Sequence, residues 1–133
     1  MNNFFLDSNI CIYVFDKSDP AKQQKAFDLL HDFPLISSQV IIESYNACYK
    51  KLKLSPYICE QNILYLCDIT RFYTINDTTI RKAVFFKRKY QLSFLDAVIV
   101  SSAFFSPATI LYSEDMQDGL QIENKLIIIN PFI

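Results

Sequence analysis

A chain of 133 residues, half of them hydrophobic, is long enough for one domain (1–133) with a real core and requires no second. Its formal charge of −1 supplies no overall field for nucleic acid, so any such binding has to rest on local patches and metal ions. The one glycine, Gly119, excludes glycine-rich phosphate loops of the dinucleotide or P-loop type, which need several at fixed spacing.

In chain order, residues 3–6 read as a short buried strand, and Asp7-Ser8 supplies capping chemistry for a helix over 9–15. Asp19-Pro20 opens a second helix, apolar at Ala26, Phe27, Leu29 and Leu30, which Phe33-Pro34 stops. Residues 34–37 form the second expected strand. A helix over 38–52 follows, its 3.6-residue period placing Glu43, Asn46 and Lys50 on one side. Ser55-Pro56 starts a helix reaching Asp68, and the alternating, aromatic segment 71–75 is the third strand. Asp77 caps a helix over 78–90 and Ser93 caps another over 94–106, ended by Pro107. Residues 109–112 and 126–129 are short apolar β-branched runs, the fourth and fifth strands of a buried parallel sheet.

Cys11, Cys48, Cys59 and Cys67 make no C-x-x-C pair and follow no signal peptide, so they read as buried thiols of a cytoplasmic protein. His31, the sole histidine, removes His-rich zinc chemistry and reads as structural or exposed. No apolar stretch reaches the roughly 18 residues that span a bilayer, so no membrane contact is expected. Basic residues run together at Lys50, Lys51 and Lys53 and from Arg81 to Lys89, and such runs read as solvated helix faces. Twelve Phe and eight Tyr fill a generous core or leave surplus surface for a partner.

The acids carry the functional signal. Asp7 follows Phe4-Phe5-Leu6, Glu43 follows Val40-Ile41-Ile42, Asp96 follows Ser93-Phe94-Leu95, and Glu114-Asp115 follows Ile110-Leu111-Tyr112-Ser113, with Asp118 close behind. Each alone has a bland account: Asp7 and Asp96 as helix caps, Asp115 and Asp118 in a polar turn ending at Gly119. Together they stand where the carboxyl ends of parallel strands and adjoining helix starts converge on one crevice. Carboxylates without basic partners repel, and a hard divalent cation bound through oxygen relieves them. That pattern points to a metal-dependent hydrolase. Ser8 and Asn9 are small polar groups able to steer Asp7, and Asn46, one turn beyond Glu43, is placed to orient it or to contact substrate.

Phe5-Leu6-Asp7-Ser8-Asn9, Glu43 with Asn46, Leu95-Asp96-Ala97-Val98-Ile99 with Ala103, Ser113-Glu114-Asp115-Met116-Gln117-Asp118 and the closing Ile129-Asn130-Pro131-Phe132 form an ordered set covering nearly the whole chain. It resembles the PIN-domain nucleases, most closely the VapC-type ribonuclease toxins of bacterial toxin–antitoxin pairs. The resemblance implies a three-layer α/β/α fold with a five-stranded parallel sheet of order 3-2-1-4-5. It implies catalytic Asp7, Glu43, Asp96 and Asp115, and metal ligation by Asp7, Asp96, Asp115 and Asp118, where Asp115 and Asp118 could exchange roles. Glu43 could bind metal or serve as a base through water. Ser113 stands where the family has Thr or Ser, and Ser8, Asn9, Asn46 and Ser113 would position substrate. Implied with these are Mg²⁺ or Mn²⁺ as cofactor, RNA as substrate, a cognate antitoxin, and a second copy of the chain as a homodimer partner. The alternative reading is a non-catalytic PIN-like binding module that keeps its acids for metal or protein contacts. A phosphate-accepting receiver domain ranks below both, since it would need a paired acid after the first strand and a Lys after the last, where Ser8-Asn9 and Asn130-Pro131 stand.

Overall fold

The computed structural model describes residues 3–133. Six short strands, β1 (Phe4–Leu6), β2 (Leu35–Ser37), β3 (Arg71–Tyr73), β4 (Ile110–Tyr112), β5 (Gln121–Ile122) and β6 (Leu126–Ile129), form one sheet of order β3-β2-β1-β4-β6-β5. The first five in that order are parallel, which reproduces the expected 3-2-1-4-5 arrangement with β6 as its fifth strand. Phe5, Leu111 and Ile128 lie side by side in register and are fully buried, as a sheet covered on both faces requires.

The sixth strand corrects the sequence reading. Two-residue β5 pairs antiparallel with β6 at the sheet edge through a turn at Glu123 and Asn124, both with positive φ. The Lys125 N–H closes the turn on the Ile122 carbonyl at 3.0 Å within a three-residue loop, and Asn tolerates the left-handed conformation. Glu123 is held in it by the Tyr90 hydroxyl, which accepts from its N–H at 3.0 Å, while its carboxylate pairs with Lys89 at 2.6 Å. A strand of two residues leaves almost no periodicity to read.

The helices are α1 (Ser8–Val14), α2 (Pro20–Leu30), α3 (Ser38–Lys50), α4 (Pro56–Ile69), α5 (Asp77–Tyr90) and α6 (Phe94–Phe105). Pro at the first turn and a capping Asp or Ser set the starts of α2 and α4, as read from sequence. Asn76 caps α5, not Asp77, in a reciprocal box with Thr79. The chain steps outward from β1 to β3 through α1 to α4, then returns across the sheet through α5 and α6 to β4. Because the chain leaves β1 towards β2 on one side and β4 lies on the other, the gap between β1 and β4 is a topological switch point. Three cysteines are buried as expected, but Cys67 is exposed on α4, so its thiol is not a core group. His31 is exposed and bonds the Tyr65 hydroxyl and the Phe27 carbonyl. Among the described residues, no helix is long and apolar enough to cross a membrane.

Candidate active site

The sheet ladder extends one step beyond β1 and β4 and aligns the first functional residues. Asp7 N–H donates to the Tyr112 carbonyl and Ser113 N–H to the Ile129 carbonyl, each at 3.0 Å, so Asp7 and Ser113 stand next to each other at the switch point. Asp7 begins α1, yet its Oδ1 accepts from the neighbouring Ser8 N–H at 2.7 Å and not from the second or third helical N–H that a capping Asp usually takes. Its Oδ2 thereby turns towards β4, accepting from the buried Ser113 hydroxyl at 2.8 Å and from Asn9 Nδ2 at 3.2 Å.

Short polar side chains tie the other acids to this centre. Ser8 Oγ donates to Glu43 Oε1 at 2.8 Å, joining α1 to α3, and Asn9 Nδ2 reaches Asp115 Oδ2 at 3.1 Å. Asn9 Oδ1 accepts from Glu114 N–H at 3.1 Å, which fixes the loop after β4. Asp96 lies in the first turn of α6 with its N–H on the Ser93 hydroxyl, and it faces Asp115 and Glu43 closely enough for both to affect its charge. The structure therefore assembles Asp7, Glu43, Asp96 and Asp115 around Ser8, Asn9 and Ser113. Two of the expected site residues take other positions. Asp118 is exposed and accepts from the Asn130 N–H at 2.8 Å, stapling the loop to the segment after β6, and Asn46 is exposed with no bond to the cluster.

Sequence reasoning missed two participants. Gln39 Nε2 donates to Glu43 Oε2 and to the Leu95 carbonyl, both at 3.0 Å, bracing α3 against the start of α6. Its one signal was the i,i+4 spacing from Glu43 on the helix. The second is a trio of Tyr13, Lys22 and Glu114: Tyr13 Oη donates to Glu114 Oε1 at 2.6 Å and Lys22 Nζ to Oε2 at 2.5 Å. Three residues so far apart in sequence leave no local pattern.

The electrostatics separate these acids. Asp7 is 4% exposed, and burial pushes its carboxyl from the ordinary 3.8 up to about 6, against the bonds from Ser113 and Ser8 and with added repulsion from Asp96 and Glu43. Asp96 is raised too, by burial first and then by Asp115 and Glu43, with Ser93 opposing. Among the described residues none of the four carboxylates is ion-paired with a Lys or Arg. Beside them a cavity of about 160 Å³ is lined by Ser8, Asn9, Tyr13, Lys51 and Asp115.

A parallel sheet with clustered acids at its switch point is a testable signature of family, and the PIN domain family profile matches residues 4–117. The chain belongs to the PIN domain family. Similar folds are seen in a toxin–antitoxin complex from Klebsiella pneumoniae (20% identity, 97% of this chain and 98% of that one, TM-score 0.72). They are also seen in VapBC2 of Rickettsia felis bound to a promoter DNA fragment (19% identity, 94% and 96%, TM-score 0.68). A third is VapC20 of Mycobacterium tuberculosis, a sarcin–ricin loop cleaving toxin (13% identity, 85% and 92%, TM-score 0.66). A search of curated protein sequences finds no match.

The donor set of this PIN domain fits a hard cation: its acidic groups are all carboxylates, the innermost is buried and raised in pKa, and none is ion-paired among the described residues. Among the described residues no three acid, His or Cys side chains are gathered into a ready cage. Ser8 and Asn9 sit between the carboxylates and share their protons among them, so ion binding requires these side chains to yield some of those bonds.

Proposed function

We propose that this PIN domain is a metal-dependent endoribonuclease, the toxin of a type II toxin–antitoxin pair acting in the cytoplasm. The observation that carries the reading is the convergence of four carboxylates, with neutral hydrogen-bond donors but no ion-pair partner among the described residues, on the switch point of a parallel sheet. Asp7 and Asp96 would hold Mg²⁺ or Mn²⁺ directly, with Asp115 completing the set, while Asp118, bonded to the Asn130 N–H, stands outside it. When bound, the ion supplies a Lewis acid that lowers the pKa of water and offsets charge on a scissile phosphate.

The chain's own residues do the rest. Ser113 and Ser8 fix the two oxygens of Asp7, and Asn9 holds Asp115 in line with them. Glu43, gripped at Oε1 by Ser8 and at Oε2 by Gln39, is the group placed to take a proton from water. Asn46 faces solvent one turn along α3, where an incoming strand would meet it. An apolar groove of about 490 Å³ borders Glu43, walled by Ile42, Ile75, Ile80, Phe94, Leu95 and Val98. It supports the partner part of the reading: a cognate antitoxin, whose basic side chain could meet the carboxylates, and a second copy of this chain.

One observation favours a second reading. Without a ready cage among the described acids, the domain could be a non-catalytic binding module that keeps its carboxylates for metal or protein contacts. The two separate in one assay, cleavage of total RNA by antitoxin-free protein in Mg²⁺ or Mn²⁺ against EDTA, with Asp96→Asn alongside. Metal-dependent cleavage that is lost in the variant supports the nuclease. A folded, inert wild type overturns it in favour of the module.

A further inference from the structure

Charge is distributed very unevenly in this chain. Helix α5 holds five of the thirteen Lys and Arg and one of the fourteen acids, so against a total of −1 it stands at +4 and the remainder at −5. The helical period sorts these residues. Thr79, Ala83 and Phe86 are buried, Phe86 meeting Phe104 of α6 edge-on at 5.2 Å. The opposite face presents Arg81, Val84, Phe85 and Arg88 to solvent, in the i, i+3, i+4, i+7 spacing of a single stripe. Phe85 is 47% exposed at the centre of that stripe. Lys82 and Lys89, along one flank, hold their ammonium groups over that ring, 4.8 and 5.6 Å from its centre, and Lys89 is also paired with Glu123 at 2.6 Å. The lone acid, Asp77, pairs with Arg81 at 2.8 Å, but the two side chains are 78% and 79% exposed, so solvent weakens the pair and a phosphate can replace the carboxylate.

We propose that this stripe is a docking strip for the single-stranded RNA substrate, with Arg81 and Arg88 on the phosphate backbone and a base stacked on Phe85. The proposal rests on the ribonuclease reading and places the substrate's course outside the carboxylates. Charge complementarity selects the occupant. Cations in a row suit a polyanion, and an exposed ring between them suits one that carries flat bases. Position agrees as well. Ile80, in the first turn of α5, walls the groove that also touches Glu43, so a strand leaving the acidic crevice over that groove arrives at Arg81. From Arg81 to Arg88 the helix then carries it along about 10 Å, seven residues at about 1.5 Å each. The local patch thus offsets the unfavourable charge of the rest of the molecule.

The test is fluorescence anisotropy of a labelled 15-nucleotide single-stranded RNA with Asp96→Asn protein, comparing further Phe85→Ala and Arg81→Gln/Arg88→Gln changes. Gln retains helix propensity at both positions. Phe85→Ala should weaken binding about tenfold. The double Gln change should lower the slope of log affinity against log salt by about 1.4, the value for two lost single-strand phosphate contacts. In otherwise wild-type protein the same changes should reduce kcat/KM for long RNA but leave metal-dependent hydrolysis of bis(p-nitrophenyl) phosphate unchanged, which excludes misfolding. Unchanged affinity and unchanged slope overturn the strip, leaving the face to an acidic protein partner or to solvent. If RNA is still cleaved by the wild type in that case, only the strip falls. If the wild type neither binds nor cleaves RNA, the ribonuclease reading falls with it.

Discussion

Glu114 and Asp115 are chain neighbours in the same loop and line the same cavity, yet they meet opposite chemistry. Glu114 turns towards α1 and α2. Burial opposes its charge, but bonds from Lys22 and Tyr13 hold its carboxyl below the ordinary range. Lys22 also lies over the Tyr13 and Phe132 rings, so the trio closes the loop against the C-terminal segment. Asp115 turns towards Asn9 and the crevice, where it meets a neutral amide and raises the carboxyl of Asp96. An acid matched by a cation of its own chain is structural, whereas an acid matched by neutral donors alone stays available to a cation from solution. A motif of consecutive acids does not distinguish the two. The partners of each side chain do.

That contrast predicts its largest effect in activity. Asp115→Asn removes a charge from the set that would hold the metal and should lower kcat/KM for RNA by about a thousandfold, the several kcal/mol of lost transition-state charge stabilisation that such a change implies. Glu114→Gln leaves the crevice intact and should cleave RNA close to the wild-type rate, its cost appearing as a melting temperature lowered by a few degrees. Equal activity losses in the two variants would erase the distinction. So would an Asp115→Asn enzyme of full activity.

A smaller effect belongs to stability in EDTA. The Asp7 carboxyl moves from the ordinary 3.8 to about 6 in the fold, so the folded state holds its proton more tightly than the unfolded one does. The resulting contribution is fully present below pH 3.8 and is lost as pH rises through 6, a difference of about 3 kcal/mol between acid and neutral pH. Asp7→Asn removes the titration and retains an acceptor for the Ser8 N–H, while setting an amide against the Asn9 amide. It should therefore raise metal-free stability at pH 8 by about 1–3 kcal/mol and show no advantage near pH 4. Denaturant titrations at the two pH values decide it. A less stable variant at pH 8 would mean that the carboxylate is a net stabiliser with no need of a cation. Mg²⁺ or Mn²⁺ at a hundred times its Kd should stabilise the wild type by about 2.7 kcal/mol and leave Asp7→Asn unmoved.

How legible these features were depended on how locally they were encoded. Leu126–Ile129 is apolar throughout, with three β-branched residues of four, and is readable to the residue, whereas Gln121–Ile122 exists as a strand only because a turn returns it to β6. Asp7 was evident as an acid after a buried strand. That its second oxygen would turn to Ser113 was not, since this depends on the alignment of β1 with β4, more than a hundred residues apart. Asp115 and Asp118 were interchangeable on paper, and the structure distinguishes their surroundings: Asn9 for one, the Asn130 backbone for the other. Gln39 was passed over because a neutral side chain on a helix carries no signal of its own until its neighbours are known.

The smallest predicted effect tests whether the neutral donors act on the metal through the carboxylates. Ser113 is fully buried and donates to Asp7 Oδ2 while accepting from the Asp115 N–H at 3.3 Å, so it joins the two acids without charge. Ser113→Ala removes the bond that most favours the Asp7 carboxylate. The Asp7 carboxyl should therefore rise further, and the metal-free protein should lose stability at pH 8 but little at pH 4. Affinity for Mn²⁺, read by calorimetry, should fall about tenfold, the lower end of what an orienting partner of a ligand contributes. Ser113→Thr keeps the hydroxyl and should restore most of it. If Ser113→Ala bound Mn²⁺ as tightly as the wild type, the hydroxyl would serve only to close the buried end of β4, and Asp7 would owe its orientation to the Ser8 N–H and the Asn9 amide.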